Sequence, residues 1–531
     1  MMNTNVESLW IFALASKCQS LSLFNTIALA FVALFSCIIM VWSHPGGPAW
    51  GTYKWRKSKS KSKSKLRPIP GPKGLPIIGS MDLMSGLAHR KIAASASACA
   101  AKRLMAFSLG QTRAVVTCNP DVAREILNSS TFSDRPANES AYHLMFNRSI
   151  GFAPYGVYWS ALRKMAAAHL FCPKQVLASE KQRLRIVNQV AAVLAANQGG
   201  RVRDVLKLAS LNNMMCSVFG GEYDVRSVTA EAAELHDLVE QGYHLLGLVN
   251  WSDHLSFLAD FDIQKIRFTC SRLVPRVNRF VSRIVAQRKE DGGGGADFLD
   301  VLLSLRGPDR LSDSDMIAVL WEMIFRGTDT VAVLMEWILA RLVMHPDVQS
   351  KVHDELDKVV GRSRAVSESD LMELVYLTAV VKEVLRLHPP GPLLSWSRLS
   401  IRDSLVDGYL VPAGTTTIVN MWAIMTDPQV WEDPLTFNPN RFLDSNSCTD
   451  FSVFGSDLRI APFGSGRRSC PGKTLGMTTV NFWVATLLQQ FQFESSDQNV
   501  DLSEMLKLSC EMANPLMVKV QPRCCLSTFN C

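Results

Sequence analysis

The longest unbroken apolar stretch runs from Leu21 to Trp42, 22 residues without a charged side chain. As a helix rising about 1.5 Å per residue, it is long enough to cross roughly 30 Å of hydrocarbon. Its length and its flank argue against a cleaved signal peptide. We expect residues 1–20 to be a lumenal N-terminus, 21–42 a transmembrane anchor and 43–80 a basic, Pro-rich linker. Farther along, residues 104–118 carry two short β-type runs around Gly110-Gln111 and predict a hairpin. Asn119-Pro120-Asp121 then signals a short helix. From about 157 to 390 apolar positions recur at helical spacing, broken at Gly220-Gly221, in the 250s and at the tetraglycine 292–295. One helical run of about 30 residues opens at Ser312-x-x-Asp315 and stops at His345-Pro346. Residues 391–420 turn strand-like, with turns at Gly408 and Pro412-Ala413-Gly414. The pattern predicts a mainly α fold with small β-sheets over residues 81–531, preceded by one apolar helix.

Charge refines this picture. The net charge of +8 resides in residues 54–67, which hold eight Lys or Arg and no acid. Residues 68–531 are formally neutral, which argues against nucleic acid as a partner. Positive charge next to an apolar span stays cytosolic, so the body of the chain is expected on the cytosolic side. The 13 cysteines, odd in number and irregularly spaced, do not form a disulfide framework. Trp251, His254, Phe257 and Phe261 lie near a predicted inter-helix loop, either packed in the core or dipping into a membrane.

The chemistry-bearing stretch is Phe463-Gly-Ser-Gly-Arg-Arg-Ser-Cys-Pro-Gly472. Pro471 suits the first position of a helix, which would set Cys470 at its positive end and favour a thiolate. Gly464 and Gly466 permit turns that aim backbone N–H groups at the sulfur. A zinc site is a poor rival, because no Cys-x-x-Cys pair exists to complete one. A thiolate so placed would suit the ligand that a haem-thiolate oxygenase needs.

Phe463, Gly466, Arg468, Cys470 and Gly472 together resemble the haem-binding signature of the cytochrome P-450 superfamily. The resemblance extends over about residues 65–520 and implies haem b (iron protoporphyrin IX) with Cys470 as the ligand of its iron. Phe325-Arg-Gly-Thr-Asp-Thr-Val331 resembles the family's oxygen-activation segment, with Asp329 and Thr330 at the acid and hydroxyl positions of a proton relay. Gly327 in mid-helix suggests a bulge that admits dioxygen. Arg326 departs from the family pattern: it either pairs with Glu322, four residues back, or points into the pocket as a substrate contact. Glu383, Arg386 and Arg441 match a buried charge triad that braces the thiolate side. Trp159, Arg163, Arg398 and Arg468 match positions that bind the haem propionates, for which the guanidinium fork is suited.

The Phe325–Ala332 and Ala153–Trp159 runs are similar to those of plant microsomal members, in particular the KLUH-type branch that promotes organ and seed growth. The resemblance implies a single-pass protein of the endoplasmic reticulum membrane. It would receive electrons from NADPH-cytochrome P-450 reductase and use O2 to hydroxylate a small apolar substrate, a fatty acid or related molecule. Two other classes fit a haem-binding chain: a haem-thiolate isomerase or lyase needing neither O2 nor reductase, and a non-catalytic haem-binding membrane protein.

Overall fold

The first helix, α1 (Leu23–Trp42), keeps its apolar side chains outward: Phe31 is 70% and Val32 61% exposed. It is long and apolar enough to cross a membrane. The computed structural model describes residues 23–58, 67–197, 199–292, 297–307, 310–443, 451–496 and 500–523. The expected lumenal N-terminus, most of the basic tract and most of the tetraglycine lie outside them.

The expected linker is more structured than its composition suggests. Its first part forms α2 (Pro48–Ser58), whose Trp50 is buried and donates Nε1–H to the Phe107 carbonyl at 2.8 Å. The Pro-rich part lies along strand β1 (Met105–Leu109), where Ala106 N–H donates to the Pro70 carbonyl at 2.8 Å. Gly71 approaches so closely that a Cβ would stand 1.7 Å from the Ala106 carbonyl oxygen. Apolar Ile69 and Trp50 bury themselves on a strand edge, and the prolines follow.

The predicted hairpin is present. β1 pairs antiparallel with β2 (Thr112–Thr117) around Gly110, whose φ of +52° suits a residue without Cβ. The sheet is completed by β3 (Arg398–Leu399) and β4 (Thr416–Val419), in the order β1-β2-β4-β3, with β2 and β4 parallel. Asn119 caps the short helix Pro120–Asn128 by accepting from the Asp121 and Val122 amides, as its sequence predicts.

Helices fill the rest. α3 (Val157–His169) and α4 (Val202–Phe219) precede the central helix α5 (Asp313–Met344), a 32-residue element. Ser312 caps α5 by accepting from Asp315 N–H at 3.1 Å, and the helix ends before Pro346, as predicted. Most of α5 is buried, including Trp321, Phe325 and Trp337. Packed around it are α6 (Val375–Leu387) and α7 (Lys473–Gln490). Every described cysteine is free.

The aromatic residues of the 250s are not core. Trp251 is 45%, Phe257 57% and Phe261 61% exposed. Gln111 N–H donates to the His254 carbonyl and Gly110 N–H to the Ile78 carbonyl, so this loop neighbours exposed Leu75 and Ile77.

Candidate active site

The loop before α7 is built to present a sulfur. Cys470 N–H donates to the Phe463 carbonyl at 2.9 Å, closing the loop into a ring. Gly464 and Gly466 both have φ of +67°. A Cβ on Gly466 would lie 2.1 Å from the Leu127 carbonyl oxygen, so no other residue fits there. The helix starts later than the sequence suggested: Gly472, not Cys470, is its N-cap, and Pro471 precedes it. Helix-forming dihedrals are reached only after the Pro-Gly pair. The space over Gly472 is taken by the Phe171 ring, 3.1 Å from where a Cβ would be. Burial pushes the Cys470 thiol up, against Arg326, the Gly472 amide, Arg163 and Lys473, which all pull it down. The loop alone does not make a thiolate; a cation bound at the sulfur would.

Cys470 and Phe463 line a cavity whose opposite wall is α5, through Glu322, Met323, Arg326, Gly327, Thr330, Val331 and Leu334. Another cysteine, the buried Cys510, sits elsewhere, grouped with His89 and Glu504 and held as a thiol by burial. Cys470 is the cysteine that faces the cavity among the described residues.

The cavity's charge is lopsided. Its walls carry five arginines (135, 163, 326, 398 and 468) against one acid, Glu322. Arg468 donates to the carbonyls of Ser133, Ile150 and Ala153, and Arg398 to those of Leu127 and Ser465. Arg163 donates to the Ser469 carbonyl at 2.6 Å, and Arg135 to the carbonyls of Gly151, Trp396 and Ser397. Among the described residues, none of these four makes a side-chain hydrogen bond to a carboxylate. Burial first, then the neighbouring cations Arg468 and Arg163, push Arg398 down to about 10. Arg135 is driven well below its ordinary value by burial and by Arg398, Arg468 and Arg326. Such crowding asks for bound anions. The two propionates of a haem would supply them, with the cavity-facing sulfur below, so the residues present fit that group. The indole N–H of Trp159 donates to the Ile150 carbonyl at 3.0 Å, and the Arg468 guanidinium lies 4.3 Å from the centre of its ring.

The expected relay pair is split between two directions. Thr330 lines the cavity, whereas adjacent Asp329 is buried and turned toward α4, where Lys207 Nζ lies 3.2 Å from Oδ1. Lys207 also faces Glu511 at 3.6 Å, and Glu511 meets the exposed Lys507 at 2.6 Å. Successive helical residues are about 100° apart, which separates the two groups. No bulge is present at Gly327: α5 is helical without interruption. The missing side chain serves packing instead, since a Cβ would fall 2.3 Å from Met214 Sδ, and Ser210 Oγ donates to the Gly327 carbonyl.

Arg326 satisfies both readings of it in part. Its Nη1 is 4.0 Å from Glu322 Oε1, beyond hydrogen-bond reach, while the side chain also lines the cavity. The charge triad assembles. Arg386 grips Glu383 through two bonds of 2.7 and 2.8 Å, and Arg441 adds a third at 3.1 Å.

Sequence reasoning missed Arg135, Trp396 and Lys207. A lone Arg before Pro, a Trp in a strand-like run and a Lys on a helix carry no pattern of their own. Only the fold brings them to the site.

Comparison with known proteins agrees with this geometry. The Cytochrome P450 family matches residues 69–520. Cytochrome P450 78A9 of Arabidopsis thaliana is 61% identical over 524 residues, 97% of either chain. Cytochrome P450 78A3 of Glycine max is 62% identical over 521 residues, 97% of this chain and 98% of its own. At greater distance, flavonoid 3'-monooxygenase of Arabidopsis thaliana is 34% identical over 471 residues, 86% of this chain and 91% of its own. A cavity floored by one cysteine and rimmed by arginines, on a chain matched almost end to end, leads to one conclusion: the chain belongs to the cytochrome P450 family, as a haem-dependent monooxygenase of the plant 78A type.

Proposed function

We propose that this protein is anchored in the endoplasmic reticulum membrane by α1 and hydroxylates an apolar, lipid-like molecule, a fatty acid or a relative of one. Electrons would come from NADPH through NADPH-cytochrome P-450 reductase. The similarity to the KLUH-type branch supports a role in the growth of plant organs and seeds. The observation that carries the reading is the cavity itself, with Cys470 on one wall, Thr330 on the other and largely apolar side chains between them.

When bound, haem supplies the redox chemistry that activates dioxygen. The chain's own residues do the rest. Cys470 Sγ, held in place by the Phe463–Cys470 ring, would hold the haem iron. Arg135, Arg163, Arg398 and Arg468 would hold its propionates. The Glu383–Arg386–Arg441 triad braces the thiolate side. Thr330 Oγ1 accepts and passes a proton at the cavity wall, and Asp329, which Lys207 holds on the side facing α4, supplies it on rotating toward the cavity. Leu334, Leu394, Val331 and Met323 exclude water. The exposed rings of the 250s, next to Leu75 and Ile77, suit contact with the membrane from which an apolar substrate would enter.

The test is a carbon monoxide difference spectrum of the reduced, purified protein, followed by product formation with O2, NADPH and reductase. A haem signature with O2- and reductase-dependent hydroxylation is expected. Turnover without reductase or O2 would favour an isomerase or lyase.

A further inference from the structure

Behind the cavity wall, four side chains of alternating charge run from α5 to the surface. Asp329 faces Lys207 of α4 at 3.2 Å, Lys207 faces Oε2 of Glu511 at 3.6 Å, and Glu511 meets Lys507 at 2.6 Å. Asp329 and Glu511 are buried, Lys207 is partly buried, and the Lys507 side chain is 47% exposed, so the line ends in water. Glu511 stands on the strand Cys510–Met512. Its Oε1 is taken by Lys507 and, at 3.6 Å, by Arg203 of α4. Among the described residues, Lys207 is the cation that faces Oε2.

The charges here do not need Glu511 at rest. Arg203 donates to Glu336 at 2.7 Å and Lys207 holds Asp329, so each cation of α4 already has a buried acid of α5. Glu511 is a third acid in the same place, and burying a carboxylate is costly. Burial alone would raise its carboxyl, but Lys507, Lys207 and Arg203 outweigh that and hold it below its ordinary value, so it stays charged. The surplus has a use once Asp329 moves. An ammonium left in the interior without a carboxylate is strongly destabilised, and Lys207 is the cation within ion-pair reach of Asp329 among the described residues. A shift of under about 1 Å would bring Lys207 into hydrogen-bond range of Glu511 Oε2 instead.

We propose that Glu511 is a positioning residue of the proton relay: it receives Lys207 each time Asp329 is protonated, and so frees Asp329 to turn to Thr330. Asp329 gains one proton from solvent, and as a neutral acid it no longer holds the ammonium, which moves to Glu511 Oε2. Asp329 then turns and gives that proton to Thr330 Oγ1, which passes its own into the cavity. Asp329 returns as a carboxylate and draws Lys207 back. One proton passes, no electron moves, and every buried charge keeps a partner throughout. This rests on the Asp329–Thr330 relay and adds what times it.

The test measures oxidation of dodecanoate by the haem-loaded protein along two routes. With O2, NADPH and reductase the relay must deliver protons; with iodosylbenzene, which gives up its oxygen atom without any, it need not. Glu511→Gln is expected to lower product per NADPH by about tenfold and to raise peroxide release to match, while the iodosylbenzene rate stays within about twofold of wild type. Glu511→Asp should recover part of the coupling. Glu511→Gln added to Lys207→Met should cost nothing beyond Lys207→Met alone, because the one acts through the other. Unchanged coupling in Glu511→Gln overturns the proposal. An equal loss by both routes does so too, by making Glu511 a packing residue, as does a double variant whose losses multiply. If Glu511→Gln carries no haem, Glu511→Asp decides by the same two routes, and coupling equal to wild type overturns the proposal. Normal coupling in Thr330→Ala breaks the relay itself instead, and a wild type that oxidises dodecanoate by neither route breaks the reading of its substrate.

Discussion

The two sides of the cavity are finished to different degrees. On the cysteine side, the polar groups of the triad are matched within the chain. Glu383 accepts from Arg386, Arg441 and the Asn438 amide, while Arg386 also reaches the carbonyls of Met425 and Pro434. On the α5 side, Arg326 Nη1, the Trp396 indole N–H and Glu322 Oε2 have no hydrogen-bond partner among the described residues. A buried network with every member satisfied is rigid, whereas unmatched donors are tolerated where something binds. The contrast sets a braced scaffold against a wall whose polar groups are still open.

The largest effect that would break this contrast is at the sulfur. Cys470→Ser should abolish the carbon monoxide signature and all O2-dependent turnover, because a hydroxyl replaces the soft thiolate. Retained turnover would transfer the role to another cysteine, and Cys510 then becomes the one to substitute. Next comes the triad. Glu383→Ala leaves two guanidinium groups facing each other, one fully buried, and should cost about 3–5 kcal/mol. Thermal unfolding and haem content of the purified protein measure it, and normal haem incorporation would show that the satisfied side is not the scaffold.

The α5 side responds differently. Thr330→Ala should leave haem loading intact while lowering product per NADPH consumed by about a hundredfold. Lys207→Met should lower it by about tenfold through Asp329 alone, since Lys207 touches neither cavity nor cofactor in our reading. Peroxide release, assayed alongside product, checks both. If Lys207→Met couples as well as wild type, Asp329 is a structural ion-pair partner only.

The same division explains what the sequence made legible. The cysteine loop, the triad and the long helix with its Ser312 cap are written in local spacing and in glycines that φ values of +67° require. The hairpin followed from two β-type runs on either side of Gly110. Arg135, Trp396 and Lys207 carry no local signal, because their roles depend on which carbonyls, rings and carboxylates the fold sets opposite them. Gly327 misled for the same reason: a mid-helix glycine signals either a bulge or a close neighbour, and only the position of Met214 decides. The Pro-rich segment reads as a spacer by composition, yet its course is set by the edge of β1.

The smallest predicted effect concerns the joint between the two sides. Arg341 of α5 donates to His388 Nε2 through bonds of 3.0 and 2.7 Å, and His388 follows the last residue of α6, the triad's helix. Both guanidinium donors need a lone pair on that nitrogen, so the ring stays neutral; burial is the main cause that pushes its pKa down to about 4, with Arg341 adding to it against Glu504. Its ring also stacks on Trp337 of α5 at 4.0 Å, which fixes the tautomer's orientation. Above about pH 6.5 both folded and unfolded chains hold this histidine neutral. Between that value and about 4 only the unfolded chain takes up the proton, so stability falls as pH falls through this window. His388→Gln should flatten that part of the stability-versus-pH curve by about 1–2 kcal/mol while costing some stability at neutral pH. Thermal unfolding of wild type and variant at a series of pH values reads the difference. Parallel curves would mean that His388 is not what couples the α5 wall to the triad under acid, and would leave His254 and His353, both pushed down to about 4 by burial, as the groups to replace next.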